Sequence, residues 1–207
     1  MTLFGLGQKL NVDFPLFSQR SGLIPNSTFY DRFFGKGNWN YSTISSIAIG
    51  QGEIRMTAVQ MANLAAIVAN RGWYITPHLV KSIGNIGPKP EFTKKIKVPV
   101  DKKHFSSVIE GMRKVVYEPG GTGEEAKVEG ITVCGKTGTV QNGKNKRNHS
   151  VFIAFAPKEN PKIALVVFVE NAGGGGDYAA PLTGLMIEKY LHKQILSTEK
   201  EEFIRTH

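Results

Sequence analysis

Three segments near residues 131–140, 150–156 and 162–170 constrain the fold most strongly. They are rich in β-branched and aromatic residues, which suit a pleated, half-buried surface. The first connection contains Asn142-Gly143, a hairpin signal. The second is Pro157-Lys158-Glu159-Asn160-Pro161, a compact turn. Connections this short return the chain antiparallel, because a parallel crossover needs a dozen or more residues. The expectation is a three-stranded antiparallel meander.

Helices flank it. Residues 57–72 give the clearest one, opening on Thr57-Ala58-Val59-Gln60, a capping box, and stopping at Asn70-Arg71-Gly72. Little of its surface is polar, so it is expected to be buried on most sides. A second helix is expected over 101–117, with Asp101 as N-cap and Phe105, Val108, Ile109, Met112, Val115 and Val116 on its apolar stripe. Pro119-Gly120-Gly121 ends it, and Thr122 falls in a turn as a candidate site residue. After a flexible Gly173–Gly176 loop, Asp177 is expected to N-cap a last helix running to about His192. Trp73, Tyr74 and Ile75 read as a short strand, and His78 as a loop histidine rather than a ligand. Residues 1–50 show little periodicity; Phe4-Gly5-Leu6-Gly7 and Val12-Asp13-Phe14-Pro15 read as loop with short turns. From Ser197 the chain is charged and is expected to be a mobile tail.

The first strand carries the chemistry. Gly130 to Thr137 fits G-x-x-x-x-G-K-T, a phosphate-cradling loop. Lys136-Thr137-Gly138 fits K-T-G, a signature of serine transpeptidases and serine β-lactamases. A phosphate loop must curl and then start a helix. Here its variable positions are Ile131, Thr132, Val133 and Cys134, with no glycine among them, and Gly138 to Gly143 make a poor helix start. A strand suits K-T-G better. An extended ligand can lie along a strand edge, Gly138 leaves room for it, Lys136 supplies a positive charge, and Thr137 and Thr139 share a face.

The whole chain has 207 residues, a length that suits one domain or one and a half, and its 41% hydrophobic and 21% charged content is ordinary for a globular protein. Cys134 is the only cysteine, which leaves no disulfide framework and no cysteine-rich zinc site. Its alternatives are a nucleophile paired with His149 or, more commonly, inert core packing. No motif calls for a cofactor or a metal. The net charge of +9 gathers partly in Lys94, Lys95 and Lys97, and in Lys144, Lys146 and Arg147. No nucleic-acid-binding signature accompanies it, so no nucleic-acid partner is expected, and the charge points to an anionic cell envelope or to simple solvation. The longest apolar run, about Ile163 to Val169, is too short to span a bilayer, and no basic-then-apolar leader opens the chain.

An ordered set of motifs then widens the comparison. Phe4-Gly5-Leu6-Gly7 with Asp13 and Pro15, Phe34-Gly35-Lys36-Gly37-Asn38-Trp39, Ile49-Gly50-Gln51-Gly52-Glu53, the Thr57–Gly72 helix and Thr76-Pro77 lead. Lys136-Thr137-Gly138-Thr139, Phe152 to Pro157, and Val169-Glu170-Asn171-Ala172-Gly173 follow. Together they resemble the transpeptidase domain of class B penicillin-binding proteins, most nearly the elongation-specific type, over about residues 1–195. The resemblance implies an α+β chain forming part of a β-lactamase/transpeptidase-like fold. Its antiparallel meander would be packed by a C-terminal helix and joined by part of a helical subdomain. Residues 196–207 form the tail.

The family's reaction is D,D-transpeptidation. A serine attacks the D-Ala–D-Ala carbonyl of a peptidoglycan stem peptide, an acyl-enzyme forms, and a second stem peptide's amine resolves it. β-Lactams are trapped at the acyl stage. Carried over by motif, Lys136 would support the proton shuttle and the substrate carboxylate, and the Thr137 and Thr139 hydroxyls would bind that carboxylate beside Gly138. The Thr139 N–H would be an oxyanion donor. The implied partners are the stem peptide, β-lactams and the wall-elongation machinery, at the periplasmic face of the bacterial inner membrane.

The sequence departs from this pattern in one respect. The family also uses S-x-x-K and S-x-N. No S-x-N occurs, and the only S-x-x-K, Ser197-Thr198-Glu199-Lys200, follows K-T-G and lies in the polar tail, so it is rejected as the nucleophile. The expectation is a C-terminal portion of the domain, without the nucleophile helix, the first sheet strands or the anchor. It would be inactive alone and prone to self-associate through exposed core. The alternatives are a non-catalytic module that binds D-Ala-ended peptides and a phosphate-loop nucleotide-binding protein.

Overall fold

In the computed structural model, which describes residues 1–14, 19–143 and 145–206, short helices α1 (Ser27–Phe34) and α2 (Tyr41–Ile44) precede the long α3 (Ala58–Ala69). Strands β1 (Trp73–Tyr74) and β2 (Ile96–Lys97) lead to α4 (Lys103–Tyr117). Strands β3 (Cys134–Val140), β4 (His149–Ala156) and β5 (Ile163–Val169) follow, then helices α5 (Ala179–His192) and α6 (Thr198–Thr206). Pro15 and Lys144, both named above, lie outside the described residues. No described helix is long and apolar enough to cross a membrane.

The meander is present as expected: β3, β4 and β5 pair antiparallel in that order, with β3 at the edge. The strand period of two divides β4 between two cores. Phe152, Ala154 and Ala156 pack with Leu165, Val167, Val116 and the α5 residues Ala179, Ala180 and Ile187. On the other face Phe155 and Cys134 pack with Ile67 of α3 and with Phe105, Ile109 and Met112 of α4. Phe152 and Phe155 are fully buried, each worth roughly 1.5–3 kcal/mol of hydrophobic stabilisation.

The first strand starts later than 131. The backbone before Cys134 is tied to other elements: Tyr117 Oη donates to the Ile131 carbonyl and accepts from Val133 N–H, and Lys158 N–H donates to the Thr132 carbonyl. Those groups are not available to a ladder.

Helix α3 has the expected capping box. Gln60 N–H donates to Thr57 Oγ1 at 3.2 Å, and Thr57 N–H donates to Gln60 Oε1 at 2.9 Å. The buried Gln60 amide also donates to the carbonyls of Gln8 and Ser21, both at 2.9 Å, and so pins the irregular N-terminal segment to the helix.

Several local expectations are corrected. Residues 1–50 contain α1 and α2, capped by Asn26 and Asn40. Helix α1 is only eight residues long, too short for a periodic signal, and is held by Tyr30 packing on Trp39, by Trp39 Nε1–H donating to Asp31, and by Tyr30 Oη–H donating to Glu53. At α4, Lys102 holds the cap position and Asp101 accepts from Lys103 N–H at 3.0 Å. At α5, Asp177 turns back to accept from Gly174 N–H, and Ser150 of β4 accepts from Ala179 N–H instead. The short strand is Trp73–Tyr74, pairing with β2.

The expected mobile tail contains helix α6. Glu188, 1% exposed on α5, accepts from Leu196 N–H, Ser197 N–H and Ser197 Oγ–H. Tyr178 and Phe203 bring their rings within 5.6 Å, and Lys200 Nζ donates to the Lys127 carbonyl. The charged residues sit at helical spacing, as in the Glu201–Arg205 pair, and leave Phe203 and Ile204 for an apolar side.

Candidate active site

Lys136, Thr137, Gly138 and Thr139 stand consecutively in β3, opposite Ile153, Phe152, Val151 and Ser150 of β4. Side chains alternate, so Lys136 and Gly138 share the Cys134 face, and Thr137 and Thr139 share the Phe152 face. Gly135 precedes them because a Cβ there would stand 2.5 Å from Phe152 Cζ.

The backbone of this strand is turned outward at alternate residues. The Thr137 carbonyl accepts from Lys136 Nζ at 2.9 Å, and the Thr139 carbonyl accepts from Gln51 Nε2 at 2.7 Å. Both carbonyls therefore face away from β4. In an antiparallel ladder a residue's N–H and C=O turn the same way, so the N–H groups of Thr137 and Thr139 face the free edge as well.

Side chains converge on the same edge. Thr122 and Thr137 hydroxyl oxygens are 2.7 Å apart, and Lys136 Nζ lies 3.2 Å from Thr137 Oγ1. Thr139 Oγ1 accepts from Gly175 N–H at 3.0 Å. The glycine loop reaches this close because it carries no side chain: a Cβ on Gly175 would sit 2.8 Å from Gly138 N, and one on Gly176 would sit 2.6 Å from the Thr122 carbonyl. One ammonium, three hydroxyls and outward N–H groups form a set of donors suited to a carboxylate and to a polarised carbonyl oxygen.

The structure brings Thr122 to the K-T-G residues, as the turn position suggested. It separates Cys134 from His149. Cys134 pairs with Phe155, whereas His149 pairs with Val140, six residues along β3 and about 20 Å away. Burial pushes the Cys134 thiol up to about 11, and His149 Nδ1 is occupied in accepting from Asn171 N–H. They form no nucleophile–base pair. Ser197 Oγ–H donates to Glu188, and Lys200 Nζ to Lys127, so neither is bonded to the other. The phosphate-loop alternative fails on geometry, since Gly135, Lys136 and Thr137 are strand residues and the strand continues to Val140.

Gln51 and Gly175 were not legible as site residues. Gln51 belongs to the Gly50-Gln51-Gly52 motif, whose glycines at φ 76° and 72° turn the chain on either side of it. That pattern marked a turn and gave no direction for the amide. Among the described residues no cluster of three or more His, Cys, Asp or Glu side chains is placed to hold a metal ion.

Residues 1–188 match the model of the penicillin binding protein transpeptidase domain. The chain is 34% identical over 198 residues to the peptidoglycan D,D-transpeptidase MrdA of Acinetobacter baumannii, covering 86% of this chain and 28% of that protein. Its structure resembles PBP2 of Pseudomonas aeruginosa in complex with WCK 5153, with a TM-score of 0.79 and 31% identity over 95% of this chain and 43% of that one. It also resembles PBP2 of Helicobacter pylori in complex with MreC, with a TM-score of 0.75 and 27% identity over 91% of this chain and 34% of that one. The chain thus spans less than half the length of these relatives.

Proposed function

The chain belongs to the penicillin-binding protein transpeptidase domain family, and from that premise we propose that it supplies the substrate-binding strand of a peptidoglycan D,D-transpeptidase of the elongation-specific type. One observation carries the reading: the outward peptide groups of Thr137 and Thr139 lie beside the Lys136 ammonium on the edge of β3. A D-Ala–D-Ala stem peptide extended along this edge would place its terminal carboxylate near Lys136 and the Thr137 and Thr139 hydroxyls. Gly138 contributes no side chain to obstruct it. The carbonyl oxygen of the scissile bond would meet the Thr139 N–H, where negative charge develops during acylation. β-Lactams would be held by the same groups.

We assign no nucleophile within these residues, since no S-x-N occurs and the only S-x-x-K is engaged with Glu188 and Lys127. The acyl-enzyme chemistry belongs to the protein as a whole, and residues 1–195 are assigned to its transpeptidase domain. By analogy with the Helicobacter pylori complex, the wall-elongation machinery is the proposed partner, at the periplasmic face of the inner membrane.

The test is fluorescent penicillin labelling together with titration by a D-Ala-ended peptide. This 207-residue chain alone is expected to acquire no covalent label. In a protein that carries it with the S-x-x-K and S-x-N motifs, Lys136→Ala is expected to lower labelling about a hundredfold or more. Unchanged labelling in that variant would sink the proposal. Peptide binding that depends on Lys136 in a protein that never labels would favour the non-catalytic module.

A further inference from the structure

A second polar site lies away from the K-T-G edge. An open cleft of about 810 Å³ is lined by the Gln8–Asn11 segment, by Tyr74 of β1, by Glu91, Phe92, Lys94 and Lys95, and by β2. That volume is within the range of small-molecule sites. Four of its lining residues are lysines, Lys9, Lys94, Lys95 and Lys97, against a single carboxylate, Glu91. None of the four forms an ion pair among the described residues.

The cleft is built on fixed parts. Gln60 holds the Gln8 carbonyl next to Lys9, and antiparallel pairing sets Lys97 opposite Trp73. Tyr74 and Phe92 give it an apolar floor, 8% and 7% exposed. Lys95 Nζ lies 4.3 Å above the Trp73 ring. Like charges gathered from two separate chain segments repel one another, and a single carboxylate, Glu91, cannot offset all four. A ligand carrying several negative charges in a compact group would do so. A lone carboxylate would neutralise one lysine of four. Lysine is a point charge with three donors and suits phosphate oxygens from any direction.

We propose that this cleft binds a diphosphate-type anion, a phosphate-rich head joined to a body with an apolar part that rests on Phe92. The head can come from a soluble phosphate ester or from a lipid headgroup, and the two sources are separable by experiment. No residue of the cleft belongs to β3, so the site stands whether or not the transpeptidase reading does.

The test titrates the full chain with inorganic pyrophosphate, read by calorimetry and by Trp73 fluorescence, which the overlying Lys95 should make sensitive to binding. Saturable binding is expected. It should weaken about tenfold or more in the Lys94→Gln/Lys97→Gln double variant, whose exposed substitutions leave the thermal midpoint unchanged. A Trp39→Phe variant should keep the fluorescence response. A parallel flotation assay uses vesicles containing a lipid diphosphate against phosphatidylcholine vesicles. Pyrophosphate binding alone identifies a soluble ligand, and lysine-dependent flotation with the anionic vesicles identifies a headgroup. The proposal is overturned if neither probe binds saturably, or if the double variant binds both as well as the parent does.

Discussion

The side-chain amide of Gln51 donates to the Thr139 carbonyl at 2.7 Å, joining two positions 88 residues apart. The bond ties down the carbonyl of the residue whose own N–H is the proposed oxyanion donor, and so helps to fix the backbone of β3 at that residue. Gln51→Ala is expected to slow penicillin labelling of the complete domain about five- to tenfold, as loss of a hydrogen bond worth ~1 kcal/mol would. The thermal midpoint should barely move, because the bond is exposed. Gln51→Glu retains the size but has no donor, so it should behave like the alanine variant. Full activity in Gln51→Glu would remove the positioning role.

The glycine loop is expected to be intolerant at Gly175. Gly175→Ala drives a Cβ against the backbone of Gly138, which cannot rotate away. Expected is a loss of roughly 1–3 kcal/mol of stability, read by urea unfolding. Gly111, exposed within α4 with no atom in reach of an added Cβ, provides the contrast. Gly111→Ala should stabilise by about 0.5–1 kcal/mol through helix propensity.

Acid sensitivity should trace in part to Glu110. Lys158 and Arg113 donate to its carboxylate at 2.9 and 2.8 Å and hold its pKa down to about 2, below the ordinary 4.5. The folded pKa is the lower one, so this contribution is complete above about pH 4.5 and fades as the pH falls toward 2. In Glu110→Gln the thermal midpoint should be lower at pH 7, should depend less on pH between 4.5 and 2, and should meet the wild-type value near the bottom of that window. Parallel curves would refute the linkage.

Cys134 should be silent as a thiol. Burial and its pKa of about 11 leave almost no thiolate at pH 8. A thiol reagent is expected to react only after denaturation, and Cys134→Ala should leave penicillin labelling of the complete domain unchanged. Rapid native-state modification would show that the strand opens at this end.

Glu188 is expected to anchor the end of the chain. Burial pushes its pKa up, but the donors from Leu196 and Ser197 outweigh burial and leave it below the usual carboxylate value. Glu188→Ala should accelerate hydrogen exchange across 196–206 and leave the β-sheet amides unchanged. Equal exchange rates in variant and parent would mean that α6 is held by its other contacts.

These residues also show how far the sequence could be read. The meander, the Thr57–Gln60 box and the K-T-G strand were legible because each is written locally, in strand-length patterns or in residues three apart. Asp101 and Asp177 were misassigned as caps because choosing between neighbouring backbone donors depends on the loop's path; at α5 the donor was satisfied from another strand, by Ser150. Helices α1 and α6 were missed because both rely on distant partners, Trp39 and Glu53 for one and Glu188 for the other. The contacts of Gln51 and Gly175 with β3 span long stretches of chain, and no local pattern encodes them.

The alternation along β3 places a cation on one face of the strand and hydroxyls on the other, and the two sets meet where the Lys136 ammonium curls over the rim to the Thr137 carbonyl and hydroxyl. A ligand that engages both must straddle that rim. Recognition by such a ruled line would be strict about length and handedness. A short rigid ring that presents a carboxylate and a carbonyl at the right interval would satisfy the ruler as well as a flexible peptide does, and would forfeit less conformational freedom in doing so.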